Sequence, residues 1–204
     1  MAIKLTLEKT ERILFCGSKW WGDPDMPENM QYPVMEVAED GDTYDYPLTF
    51  VCQINCEDIA KYDKDGKLPH EGMLYFFAAM DDYIGYESPI HNPAGEWPKG
   101  RLVVKYAKSI NFETFQTCML VGDEDAQLTE PELGIIFSEC ADDDEGIKML
   151  CRTDDTDYPD HIKLMEIVSD IIGGIDFGSG KLEILIKESD LKFGNWKRAK
   201  AVLK

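Results

Sequence analysis

Apolar and polar positions alternate, or run in short apolar blocks, along most of the chain. Ile3, Leu5 and Leu7 alternate with polar neighbours and predict a first short strand. A compact apolar run follows at Ile13–Cys16, then loop material from Gly17 to Pro33, rich in glycine and proline and holding Trp20 and Trp21. Residues 39–45 are acidic and polar around Gly41 and read as an exposed loop. Leu48 to Ile54 is β-branched and aromatic, bounded by Pro47 and Asn55, and predicts a strand. Asn55 is placed to cap a short helix through Tyr62, with Asp58 three residues on, and Asp63-Lys-Asp-Gly66 reads as a turn. Met73 to Met80 is apolar on both faces, as a central strand is. After a loop with Pro89, Pro93, Gly95, Trp97 and Pro98, Leu102 to Tyr106 predicts a third strand.

The stretch 107–157 is the hardest to read. Proline is tolerated in a first helical turn, so Glu130-Pro131-Glu132 suggests a helix beginning at Thr129 and limited by Gly134. Ile135–Cys140 and Ile147–Cys151 suggest two strands paired around Asp142-Asp-Asp-Glu145-Gly146. Residues 162–172 fit two patterns. Apolar positions 164, 165, 168, 171 and 172 suit an amphipathic helix capped by Asp160, whereas Ile162, Leu164 and Val168 suit a strand. Leu182–Ile186 reads as a strand, Asp190–Trp196 as a change of direction, and Ala199–Leu203 as a last strand.

An internal overlay decides the conflict. Phe50–Ile54 lies over Lys163–Ile167, Gly72–Ala78 over Gly180–Ile186, and Leu102–Tyr106 over Ala199–Leu203, with Asp82 and Asp190 following the second strand of each set. Residues 162–168 then become a strand. The expected architecture is α+β and β-rich: mainly antiparallel sheet, with two divergent β repeats at about 48–106 and 160–203 forming one domain over 1–204.

Composition narrows the chemistry. The hydrophobic share is 44%, enough for a core, and forty acidic against 21 basic residues leave a net charge of −19. Such a surface repels phosphate backbones and anionic lipid, so neither nucleic acid nor membrane is an expected partner, while a basic protein would be attracted. No run approaches the apolar length of a membrane span and the N-terminal residues lack a signal-peptide core, so a cytoplasmic location is expected. Six cysteines without a Cys-x-x-Cys pair read as reduced, mostly buried thiols.

Ser18-Lys-Trp-Trp-Gly-Asp-Pro-Asp-Met-Pro27 resembles the S-K-x-G-G-x-P-x-L-P opening of the YwqG-like, DUF1963-type bacterial proteins. Leu48–Asn55 resembles their L-x-F-L-A-Q-I-D strand, and Gly72–Phe77 their G-x-L-Y-F-F. Glu166–Asp170, Asp176–Ile186 and Asp190-Leu191 are degenerate counterparts of the second-half motifs, with Glu166 in place of a glutamine, and Trp21 stands where the first motif has glycine. The resemblance covers roughly 18–83 and 158–204. It implies a duplicated, mostly β fold with some helix and no established activity; some relatives look like small cytoplasmic proteins proposed to neutralise toxins.

Several chemistries can be weighed against plainer readings. Gly178-Ser-Gly-Lys181 lacks the first glycine and the following Ser or Thr of a phosphate loop, and reads as a turn before a strand. Asp154–Asp157 with Asp160 and His161 lacks the central glycine and closing glutamate of a calcium loop, and reads as a solvated acidic segment. His70, His91 and His161 show no metal spacing, and no local signature marks a Cys–His nucleophile. No catalytic residue, metal or cofactor is therefore assigned. Gln53 is the notable polar residue of a central strand, sharing a face with Val51 and Asn55. It reads either as a core-fixing hydrogen-bond partner or as part of a pocket with Trp20, Trp21, Asp81 and Asp82. Adjacent tryptophans on a strand would point oppositely, one buried and one free to anchor an interface. Trp20, Trp21, Asp23, Gln53, Asp81 and Asp82 form the candidate binding set.

Three functional classes follow. The favoured one is a non-enzymatic interaction module that binds a basic partner such as a nuclease-type toxin. The alternative is an enzyme or small-molecule binder with a pocket between the two repeats. The third is a structural or regulatory subunit that forms a homo-oligomer.

Overall fold

A computed structural model describes residues 1–39, 41–80, 92–121 and 129–204. Asp81, Asp82 and His91 lie outside the described residues. Eight strands lie toward the N-terminus: β1 (Ala2–Lys9), β2 (Lys19–Trp20), β3 (Asp25–Pro27), β4 (Val34–Glu39), β5 (Asp42–Pro47), β6 (Thr49–Asn55), β7 (Met73–Ala78) and β8 (Gly95–Glu96). Seven follow: β9 (Leu102–Ala107), β10 (Phe115–Thr117), β11 (Leu133–Cys140), β12 (Ile147–Arg152), β13 (His161–Val168), β14 (Lys181–Lys187) and β15 (Lys200–Leu203). Helix is confined to α1 (Cys56–Ile59), α2 (Glu188–Lys192) and a 3-10 turn at Trp196–Arg198.

Eleven strands form one sheet in the order β8-β15-β14-β13-β12-β1-β11-β2-β6-β7-β9, and every neighbouring pair is antiparallel. Laid flat, such a sheet would be about 48 Å wide at the usual strand spacing. Yet β8 and β9, its two edges, are joined by residues 97–101 alone, which reach at most about 20 Å. The sheet must curl so that its edges approach. Trp97 N donates to Ala201 O on one side of this connection and Ala79 N to Arg101 O on the other. The Tyr106 ring lies 5.7 Å from that of Trp196 across the seam.

The curled sheet has an apolar interior. Leu5, Trp20, Cys52, Ile54, Leu74, Phe76, Met149, Ile167, Leu182 and Ile184 pack in it. A second cluster lies on the outer face of β6, β7 and β9, where Phe50, Tyr75 and Phe77 are covered by Met26, Phe115 and the β3–β10 ladder. This explains why Met73–Ala78 is apolar on both sides: each side meets a core.

Several expectations need correction. Residues 39–45 are not a plain loop; β4 and β5 form an antiparallel hairpin from Val34 to Pro47. Residues 129–132 form no helix, because Glu130 O accepts from Gly22 N and the Glu132 carboxylate meets Lys19. β11 and β12 do not pair with each other, since β1 lies between them and bonds to both. Asn55 does cap a helix, accepting from Glu57 N, but the helix ends at Ile59. Residues 161–168 are a strand, as the overlay requires.

Candidate functional site

Four groups converge on one carboxylate, that of Asp25. Asp25 is fully buried, and its Oδ2 accepts from Cys16 N at 2.9 Å and Gln53 Nε2 at 2.8 Å and pairs with Lys19 Nζ at 3.0 Å. Its Oδ1 accepts from Thr117 Oγ1 at 2.8 Å, and its carbonyl from Tyr75 Oη at 2.8 Å. Gln53 completes the set by accepting from Asp25 N and donating to Gly17 O. Every atom of the Gln53 amide that can bond is engaged, which is the core-fixing role. A bulge after Phe50 breaks the alternation of β6, so Val51 joins the interior with Cys52 and Ile54 rather than sharing the face of Gln53.

Trp20 and Trp21 are both buried, at 0% and 4% exposure, so neither ring is free to anchor an interface. The cause is backbone geometry. Trp21 has φ +58°, which turns the chain so that both rings enter the interior and meet edge to face at 5.7 Å. That left-handed region favours glycine, which accounts for the glycine the motif carries there. The Trp21 indole donates to Gly173 O. Asp23 is buried as well, its Oδ1 accepting from Leu120 N and Thr129 Oγ1. Trp20, Trp21, Asp23 and Gln53 are thus all buried, but the two rings pack in the interior whereas Gln53 bonds to Asp25, whose carbonyl accepts from Tyr75 of the outer cluster.

The thiols are uniformly unactivated. Burial pushes Cys16 up to about 11 and both Cys56 and Cys151 up to about 12, and raises Cys52, Cys118 and Cys140 too. Thiolate, the nucleophilic form, is correspondingly suppressed.

The open polar site lies elsewhere, on the outer face of β12, β13 and β14. Lys148 and Glu166 stand opposite each other in the ladder, as do Glu166 and Glu183. Glu166 pairs with Lys148 at 3.2 Å, Lys163 at 2.8 Å and Lys181 at 3.0 Å. Glu183 pairs with Lys163 at 3.0 Å, Lys181 at 3.2 Å and Lys204 at 2.9 Å. Burial alone would raise the Glu166 carboxyl, but hydrogen bonds from Lys163 and Lys181 overcome it and bring it down to about 2. Glu183 is lowered in the same way by Lys204 and Lys163. This alternating-charge lattice floors a cleft of about 600 Å³, whose rim carries Asp142, Asp143, Asp144, Glu145 and Asp154. Lys148 also reaches the carbonyls of Asp142 and Asp144 and ties the rim to the floor.

Sequence reading missed this lattice. The available signal was the placement of Lys163 and Glu166, and of Lys181 and Glu183, in strands whose other positions are apolar save the terminal His161 and Lys187. Asp25 was missed because it sits in a Gly/Pro-rich segment that reads as solvent-exposed loop.

A curled antiparallel sheet with a self-covered first half and an open ionic cleft on its second defines the class as a small β-rich domain. The model of a domain of unknown function, DUF1963, matches residues 18–149. The chain belongs to the DUF1963 family. The match runs through the middle segment that the motif comparison left blank and stops short of residues 158–204. No curated protein matches the chain. Among the described residues, no helix is long and apolar enough to cross a membrane, and no group of three or more His, Cys, Asp or Glu is placed to hold a metal.

Proposed function

We propose that this chain is a non-enzymatic, cytoplasmic interaction module that binds a basic protein through the acidic rim over β12–β14. The observation that carries this reading is the rim itself. Asp143 and Glu145 stand at the mouth of an open cleft without an ion-pair partner among the described residues, while each lysine of the floor beneath is tied to Glu166 or Glu183. A lysine or arginine from a partner would find free carboxylates there, Arg152 being the one lining cation without an ion-pair partner among the described residues. The net charge of −19 adds long-range attraction and speeds encounter. A nuclease-type toxin, whose own cleft must be basic to hold phosphates, is a partner of the right chemistry. An oligolysine peptide should bind in low salt, and Asp143→Ser with Glu145→Ser should weaken it about tenfold, roughly one favourable charge contact per substitution. Equal affinity for both proteins would sink the reading.

We also propose that the fold is two divergent β repeats forming one domain. Four features support it. The ladders β6–β7 and β13–β14 break register at the same overlay position, before Cys52 and before Met165. Gln53 faces Tyr75 as Glu166 faces Glu183. Gly72 and Gly180 each press against a carbonyl at the end of the next strand, Ala107 O and Lys204 O. About the β1–β11 pair, the order β2-β6-β7-β9 on one side answers β12-β13-β14-β15 on the other.

A further inference from the structure

The seam where the sheet's edges approach holds the opposite of the acidic rim. A cleft of about 390 Å³ lies there, walled by residues 96–102 from the β8–β9 connection and by residues of β13, α2 and the segment 197–201. Lys99, Lys187, Lys197, Arg198 and Lys200 line it. In a chain of net charge −19 this concentration of cations is against the grain of the surface.

Among the described residues two carboxylates line the cleft, and both are already engaged. Glu96 pairs with Lys200 at 2.9 Å and accepts from Tyr158 Oη, and Asp190 pairs with Arg198 at 3.7 Å and accepts from Asn195. Lys99, Lys187 and Lys197 have no ion-pair partner among the described residues. Two polar side-chain atoms of the same wall are also unpartnered among the described residues. They are Nε1 of Trp97, a residue 6% exposed, and Nδ1 of His161. Burial first, then Lys187 and Lys200, hold the His161 imidazole below its ordinary pKa, against the opposing effect of Asp160 and Asp190.

We propose that this seam is a binding site for a phosphate-bearing small molecule, with Lys187 and Lys197 as charge partners and Trp97, 6% exposed, as part of the wall. Three unpaired cations match an anion of more than one charge better than a single carboxylate. The volume exceeds what a bare phosphate fills and falls in the range of small-ligand pockets. The site is separate from the acidic rim and stands whether or not that rim binds a protein.

The test is titration of the full chain with inorganic pyrophosphate at constant ionic strength, followed by calorimetry and by the indole N–H resonances. Saturable binding is expected, together with movement of the Trp97 resonance. The double variant Lys187→Met, Lys197→Met should melt at the wild-type temperature, because both side chains are exposed, and should bind at least about tenfold more weakly. Lys9→Met, far from the cleft in sequence and absent from its lining, should bind as wild type does. No saturation up to about 10 mM pyrophosphate, or equal binding by the double variant, would overturn the proposal.

Discussion

Removing the Asp25 carboxylate should be among the most damaging single changes. Asp25→Ala leaves Lys19 Nζ, 3% exposed, without its nearest anion, and leaves Gln53, Thr117 and Cys16 N short of an acceptor. Breaking a buried pair this way costs about 3–5 kcal/mol, which urea unfolding would register directly. Glu166 gives a pH-dependent counterpart. Its carboxyl is held at about 2 in the folded protein against an ordinary value of 4.5, so its contribution is complete above pH 4.5 and lost as pH falls from about 4.5 toward 2. Glu166→Gln should lower stability by about 3 kcal/mol at pH 7, and the gap from wild type should close by about pH 2. A gap that stays constant across that range would show that the lysines around it do not depend on its charge.

At this same scale, what was legible in the sequence depended on whether a residue's neighbours in the chain were also its neighbours in space. Gln53 stood out because a glutamine inside an apolar strand must find partners, and it did so at Gly17 and Asp25. Trp21 did not announce its burial, because alternation assumes extended backbone and its φ is +58°. Lys163 and Glu166 looked like ordinary strand charges, and only the pairing of β13 with both β12 and β14 brings them onto Lys148 and Glu183.

Among the elements, strands with a period of two or a fully apolar run were readable: β1, β6, β7, β9, β14 and β15 all fall close to their expected positions. The β11–β12 pairing was misread because proximity in sequence favours a hairpin, whereas the true partner lies at the other end of the chain, Ala2 opposite Cys140. The two pressed glycines offer an element-scale prediction. A Cβ at Gly72 would lie 2.1 Å from Ala107 O at a φ of +83°, whereas one at Gly180 would lie 2.6 Å from Lys204 O with no such φ. Gly72→Ala should therefore cost more, about 2–3 kcal/mol against about 1 for Gly180→Ala. Hydrogen exchange should quicken along β9 in the first variant and along β15 in the second. Equal, negligible effects would count against the shared packing that supports the two-repeat reading.

For the whole molecule, the outer face is treated differently on the two sides of β1 and β11. On one side the β3–β10 ladder seals a second core around Tyr75 and Phe77. On the other a charged lattice lies open beneath an acidic rim, and a cation-lined seam closes the curl. A net charge of −19 announced the sign of the surface, but not that its free carboxylates and its unpaired lysines are held apart in separate clefts. That separation arises only on folding, when the edges of the sheet are drawn together. The central functional claim, recognition of a basic protein by the rim, is tested most directly by paired affinity captures from the source lysate. One uses the wild-type chain and the other Asp143→Ser, Glu145→Ser, both eluted stepwise with salt. The account predicts a basic protein that the wild type retains at low salt, releases at a defined salt step, and that the variant fails to retain. Retention of the same protein by both, or of no basic protein by the wild type, would contradict it.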